Sequence, residues 1–172
     1  MALILRPTRL HWLHEPADHP GDLCAHSPVE VSIDGVSLVT PDDGDCTVSA
    51  AAIYLLRTLS QSHTAASRVG DHLFPCCGTM LDAGGPDVLI IGCLGGSDFD
   101  VQREGDRIVL THGSGAHEVS FRAWSDAVCD FSDSVRAFYD RSLPRQPSDE
   151  DDAKALRAFL TEWTRRRESA SA

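Results

Sequence analysis

The sequence predicts an α+β fold with a mainly antiparallel sheet of about six strands and three helices, two of them C-terminal. Three observations predict it: short segments of alternating polarity fill most of the first two thirds, one helical pattern is inserted among them, and two longer helical patterns follow. Because strands and helices do not alternate regularly, a parallel βαβ arrangement is disfavoured. With 172 residues, the chain is expected to form a single α+β domain over 1–172.

The N-terminal elements are predicted from alternation and turn chemistry. A first strand is expected within 3–13, followed by a polar loop through Ser27. Two alternating segments, 29–33 and 36–39, flank Asp34-Gly35, a dipeptide suited to the positive φ angles of a two-residue turn. This is the clearest predicted hairpin.

The remaining elements are predicted from helical spacing and from short apolar or alternating segments. In chain order they are a helix over 47–63, a buried strand over 88–91, a hairpin of 98–102 and 107–111, a strand over 118–121, a helix over 122–142 and a helix from 148 to about 167. The pattern over 122–142 is the strongest. Its apolar residues are spaced four and three residues apart, which places them on one face of a helix, and its acids fall outside that face.

Charge and hydropathy exclude several classes of protein. Twenty-six acids face fifteen Lys and Arg, giving a formal charge of −11, which repels phosphate backbones and anionic lipid surfaces. Nucleic acid and membranes are therefore not expected as partners. The longest run without polar side chains, 88–96, is too short to span a bilayer, and Arg6 and Pro7 interrupt any signal-peptide apolar region. We expect a cytoplasmic protein with reduced thiols.

Negative charge is concentrated in two parts of the chain. The first 56 residues hold eight acids and two bases, and 69–102 holds five acids and no base. The candidate partner-binding residues are the acids of two loop-proximal clusters, Asp42, Asp43, Asp45, Asp98 and Asp100. A broad acidic surface steers a basic protein partner. Alternatively, acidic loops simply keep the protein soluble.

A Cys/His set offers an alternative site. Cys24, His26, Cys76 and Cys77 could supply the four ligands of a tetrahedral zinc, or a nucleophile and base for a thiol-dependent enzyme. Structural zinc ligands usually include a Cys-x-x-Cys pair, however, and the chain has none. We therefore expect no metal and no cofactor, with these cysteines as packing residues. Cys93 and Cys129, inside apolar patterns, are also expected to be buried thiols.

Four segments together resemble a known group of proteins. They are Ser49-Ala-Ala-Ala-Ile-Tyr-Leu-Leu-Arg-Thr-Leu59 with His63, Pro75-Cys-Cys-Gly78, Gly96-Ser-Asp-Phe-Asp-Val101, and Phe131 to Tyr139 followed by Glu162-Trp163. They are similar to a family of small, acidic, uncharacterised bacterial proteins of the toxin-immunity type. The resemblance supplies no catalytic residue and implies a binding protein rather than an enzyme. It implies a protein partner, a basic toxin domain, neutralised through an acidic surface.

Overall fold

The computed structural model describes residues 2–13, 18–76, 80–113 and 115–171. The helices are α1 (Val48–Thr58), α2 (Phe121–Arg141) and α3 (Glu150–Ser169), with a short 3-10 helix at Pro41–Asp43. The strands are β1 (Leu3–Pro7), β2 (His26–Ile33), β3 (Val36–Val39), β4 (Asp45–Thr47), β5 (Phe74–Pro75), β6 (Met80–Asp82), β7 (Leu89–Ile91), β8 (Gly96–Ser97), β9 (Asp100–Glu104), β10 (Arg107–His112) and β11 (Gly115–Ser120).

The class is α+β, as predicted, but the strands are more numerous than expected and do not form one sheet. They pair antiparallel in a four-stranded sheet (β1, β2, β3 and β4), a three-stranded sheet (β9, β10 and β11) and two two-stranded ribbons (β5 with β8, β6 with β7). β4, β5, β6 and β8 were not predicted, because segments of two or three residues are too short to show a period.

Both predicted hairpins are confirmed. Asp34 and Gly35 connect β2 to β3 with φ angles of 49° and 85°, the positive values that a two-residue hairpin turn requires. β9 and β10 pair around a turn in which Gly105 has a φ of 67°. Turn residues fix these two registers locally.

The first helix is buried on every side and is shorter than predicted. All eleven residues of α1 are buried, and the helix packs against α2 and α3. It ends at Thr58 rather than near His63, because the His63 backbone pairs with Val101, with both N–H···O distances at 2.8 Å. The end of the predicted helical pattern is therefore a bridge to β9.

The two C-terminal helices follow the prediction closely. Ser120 accepts a hydrogen bond from Ala123 N–H at the start of α2, and Asp149 accepts one from Asp152 N–H at the start of α3. Trp163 joins the two helices, because its Nε1–H donates to Ser132 Oγ at 2.6 Å in the core. Within the described part of the chain, no helix combines the length and the apolar character needed to cross a membrane.

Candidate functional site

The first acidic cluster lies on the 3-10 helix and β4. Asp42, Asp43 and Asp45 are exposed, and we call these three residues the acidic loop. Asp43 accepts a hydrogen bond from Thr40 N–H at 2.7 Å, and Asp45 lies 3.1 Å from His11 Nε2. These contacts fix the loop, and none of them involves a Lys or Arg.

The second cluster contains one inward-facing and one half-exposed carboxylate. Asp98, directly after β8, accepts hydrogen bonds from His63 Nε2–H at 2.9 Å and from Leu73 N–H at 3.0 Å. Burial alone would raise the pKa of Asp98, but these hydrogen bonds outweigh it and hold the pKa below its ordinary value. His63 is fully buried and accepts from Val69 N–H through Nδ1. Asp98 therefore holds the segments of His63 and Leu73 in place. Asp100, on β9, is half-exposed.

The elements that carry the two clusters are neighbours in space. β4, which begins at Asp45, contacts β5, and β5 pairs with β8, which precedes Asp98. The pKa of the Cys46 thiol reflects this closeness: burial raises it to about 12, with the charges of Asp45, Cys76 and Asp43 adding to the effect. The acidic loop thus borders the segment around Cys76.

Most of the described arginines pair with described acids outside the two clusters. Ten of them form ion pairs with acids outside the two clusters: Arg6, Arg57, Arg107, Arg122, Arg136, Arg145, Arg157, Arg165, Arg166 and Arg167. Among the described residues, by contrast, no Lys, Arg or His lies within ion-pair distance of Asp42, Asp43 or Asp100. Within the two clusters, the negative charge without an ion-pair partner in the described structure is therefore that of Asp42, Asp43 and Asp100.

An exposed apolar surface lies on the ribbon of β6 and β7. Met80 and Ile91 face each other across the two strands, and Leu89 lies on the same face of β7; these three residues form the ribbon face. Leu89 is 56% exposed, whereas Ile90, on the opposite face, is only 5% exposed. The strand predicted at 88–91 is present as β7, but the expectation that it is buried is wrong for Leu89 and Ile91, because an uninterrupted apolar run does not reveal which face meets solvent.

Leu94, in the loop that follows β7, is a further exposed apolar residue. Its side chain is 91% exposed, and the next residue, Gly95, accepts a hydrogen bond from Cys76 N–H at 3.1 Å. Since Cys76 follows β5 and β5 contacts β4, this bond places the apolar loop beside the acidic one. The ribbon face is an exposed apolar patch of the kind that marks interaction sites in soluble proteins.

Of the Cys/His set, the structure describes Cys24, His26 and Cys76. Cys24 and His26 are both buried and line a pocket of about 310 Å³ with Asp22 and Met80, and burial lowers the pKa of His26. Cys76 does not line this pocket. Cys77 lies outside the described residues. Among the residues that are described, no group of three or more His, Cys, Asp or Glu could hold a metal ion.

The cysteines differ in oxidation state. Cys24, Cys46, Cys76 and Cys129 carry reduced thiols, and Cys93 is disulfide-bonded and half-buried. The expectation that Cys93 is a buried packing thiol is therefore wrong. The free Cys76 thiol is exposed, and its Sγ lies 2.8 Å from Cys93 Sγ.

Comparison of the chain with protein-family models, with curated proteins and with solved structures finds no match in any of the three.

Proposed function

We propose that this protein is a cytoplasmic, non-enzymatic binding protein that holds and neutralises a basic protein partner, as the resemblance to toxin-immunity proteins implies. One observation carries the proposal: Asp42, Asp43 and Asp100 have no cationic partner among the described residues, while ten arginines are paired with other acids. Unpaired carboxylates at a surface attract a basic partner and align it before contact.

The exposed apolar residues, Leu94 and the ribbon face, supply contact area that charge alone does not. Specific interfaces have an apolar centre and a polar rim, and most of their binding energy comes from a few desolvated side chains. Leu94 lies in the loop that the Cys76–Gly95 hydrogen bond and the contact between β4 and β5 bring near the acidic loop, so one partner can contact both. The partner expected from this arrangement is a protein domain with a basic rim around an apolar anchor.

The proposal is tested by comparing two triple variants of equal net charge. Asp42→Asn, Asp43→Asn and Asp100→Asn remove charge from the proposed surface, and Asp106→Asn, Asp130→Asn and Glu168→Gln remove the same charge from other exposed positions. Partners captured by the wild type from cells of the source organism are identified by mass spectrometry, purified and titrated against each form.

We expect a basic partner that binds the first variant at least tenfold more weakly, a loss of about 1.4 kcal/mol, and the control variant as tightly as the wild type. Equal weakening in both variants would show that the effect depends on net charge and not on the position of the acids. A partner that binds all three forms equally would contradict the proposal.

The apolar part of the surface needs its own comparison. Leu94→Asp places a charge in the proposed interface, and Leu143→Asp does the same at another exposed leucine, in the segment between α2 and α3. Leu94→Asp should abolish measurable binding of the identified partner, since a carboxylate would be desolvated there without a counter-charge. Leu143→Asp should leave the affinity unchanged.

A further inference from the structure

A cavity of about 340 Å³ lies where the end of α1, the start of α2 and the end of α3 meet. Its apolar lining includes Leu56, Leu59 and Phe121, and α3 contributes Arg165 and Arg166. Pockets for small molecules typically measure about 300–1,000 Å³ and are mostly apolar, with a few polar groups that orient the ligand. The size and the lining of this cavity therefore suit a small molecule with an apolar body.

The two arginines of the lining belong to a network in which positive groups outnumber negative ones. Arg166 pairs with Glu162 at 2.6 Å and with Asp87 at 2.8 Å, and Arg165 pairs with Asp87 at 2.6 Å. Arg57 pairs with Glu162 from the opposite side. In the described part of the chain, three guanidinium groups thus share two carboxylates, and one positive charge in this network lacks a counterpart.

Exposure indicates that Arg165 carries this excess charge towards a ligand. The side chain of Arg165 is 54% exposed, whereas that of Arg166 is 13% exposed and contacts both carboxylates. Among the described residues, the Arg165 side chain makes a single hydrogen bond, from Nη2 to Asp87. A guanidinium has five N–H donors and binds a carboxylate with two of them in parallel. Arg165 therefore retains donors for an incoming carboxylate.

Arg103 adds a second positive group beside the cavity. Its guanidinium carbon lies 4.0 Å from the centre of the Phe121 ring, and its Nη1 donates to the carbonyl of Leu59 at 3.3 Å. No carboxylate of the described residues lies within ion-pair distance of Arg103. The surroundings of the cavity thus favour an anion, although the whole chain has a formal charge of −11.

We propose that this cavity binds a small organic carboxylate with an aromatic or aliphatic body. The body lies against Leu56, Leu59 and Phe121, and the carboxylate accepts hydrogen bonds from Arg165 at the exposed side of the α3 wall. A cationic ligand would be repelled by the same arginines. No residue of the acidic loop or the ribbon face lines the cavity, so this site is independent of the proposed protein partner.

The experiment titrates the full chain with two carboxylates by isothermal calorimetry. The probes are 2-naphthoate and octanoate, each compared with the uncharged primary amide of the same body. Arg165→Gln removes the excess charge, and Ser169→Trp places a large side chain at a lining position. Arg157→Gln and Thr161→Trp are the matched controls, because both positions are exposed on α3 and neither lines the cavity.

We expect at least one carboxylate to bind with a stoichiometry of one, and its amide to bind at least tenfold more weakly. Arg165→Gln should weaken the carboxylate about tenfold and leave the amide unchanged, since only the carboxylate gains from the positive charge. Ser169→Trp should abolish binding, and the two controls should bind as the wild type does.

Failure of both carboxylates to bind would overturn the proposal, as would equal affinity for acid and amide. Binding that survives Ser169→Trp, wild-type affinity in Arg165→Gln, or equal weakening in the controls would also overturn it.

Discussion

Glu162 is a buried carboxylate whose charge is compensated from several directions. It accepts hydrogen bonds from Arg57 Nε at 2.9 Å, from Arg166 Nε at 2.6 Å and from Val88 N–H at 2.8 Å. Arg57 also donates to the carbonyls of Val69 and Val88. This network joins α1 and α3 to the loops that precede β5 and β7. Each charged group therefore has several hydrogen-bond partners, the condition under which a buried ion pair is tolerated.

Breaking this network should lower the free energy of unfolding markedly. Glu162→Gln leaves Arg57 without its counter-charge, and removal of one partner from a buried pair destabilises by about 3–5 kcal/mol. Glu168→Gln, on the same helix but exposed, should change the free energy of unfolding by less than about 0.5 kcal/mol. Urea denaturation of the two variants measures both values. Equal stability of the two would show that the network contributes nothing.

The same carboxylates predict how stability depends on pH. Burial alone would raise the pKa values of Glu162 and Asp98, but hydrogen bonds, from Arg57 and Arg166 in one case and from His63 and Leu73 N–H in the other, hold both below their ordinary values. Stability from a lowered carboxyl pKa is present above the unfolded value, about 4, and is lost as pH falls through the folded value.

We therefore expect the free energy of unfolding to fall as the pH drops below about 4, and to fall less steeply in Asp98→Asn, which has no proton to bind at this position. Denaturation midpoints measured over a series of acidic buffers test this expectation. Identical slopes for the variant and the wild type would contradict it.

At the scale of an element, the ribbon of β6 and β7 has one face that packs into the core and one face that is exposed to solvent. Ile90 is buried, and its carbonyl accepts a hydrogen bond from the buried Tyr54 hydroxyl at 3.3 Å, whereas its neighbour Leu89 faces solvent. Ile90→Ala should lower the free energy of unfolding by about 2–5 kcal/mol, and Leu89→Ala should change it by less than about 0.5 kcal/mol. Thermal unfolding of this matched pair tests the assignment. A large cost for Leu89→Ala would show that the ribbon face is structural.

Elements were predictable from the sequence where local chemistry determines them. Asp34-Gly35 and the turn at Gly105 adopt their conformations from backbone preferences, and the long apolar stripes of α2 and α3 exceed five turns of regular spacing. β5 and β8 are different, since two residues show no period and their pairing depends on contacts far along the chain. His63 likewise continues a helical pattern but pairs with a strand.

For the whole molecule, charge segregation was only partly predictable. The scarcity of bases in 69–102 is visible in the sequence, as are the acids at Asp42 and Asp43. Which carboxylates remain unpaired depends on contacts between distant residues, such as Arg145 with Asp18. The inward orientation of Asp98 depends in the same way on His63. Sequence patterns therefore indicated the acidic region but not the roles of its individual members.

The separation of unpaired acids from paired arginines predicts a distinctive dependence on ionic strength. Steering by exposed charges accelerates association at low salt and is screened within about 8 Å at physiological ionic strength. For the wild type and an identified basic partner, the association rate constant should therefore fall steeply as salt is added. Asp42→Asn, Asp43→Asn and Asp100→Asn together should flatten that dependence and slow association at low salt, with the dissociation rate changing less.

The free energy of unfolding should not change with the same triple substitution, because these carboxylates form no ion pair among the described residues and exposed charges contribute little stability. Stopped-flow mixing at two salt concentrations, with the Asp106→Asn, Asp130→Asn and Glu168→Gln variant as the charge-matched control, measures the slopes. A wild-type slope in the first variant, or an equally flattened slope in the control, would show that Asp42, Asp43 and Asp100 do not steer the partner.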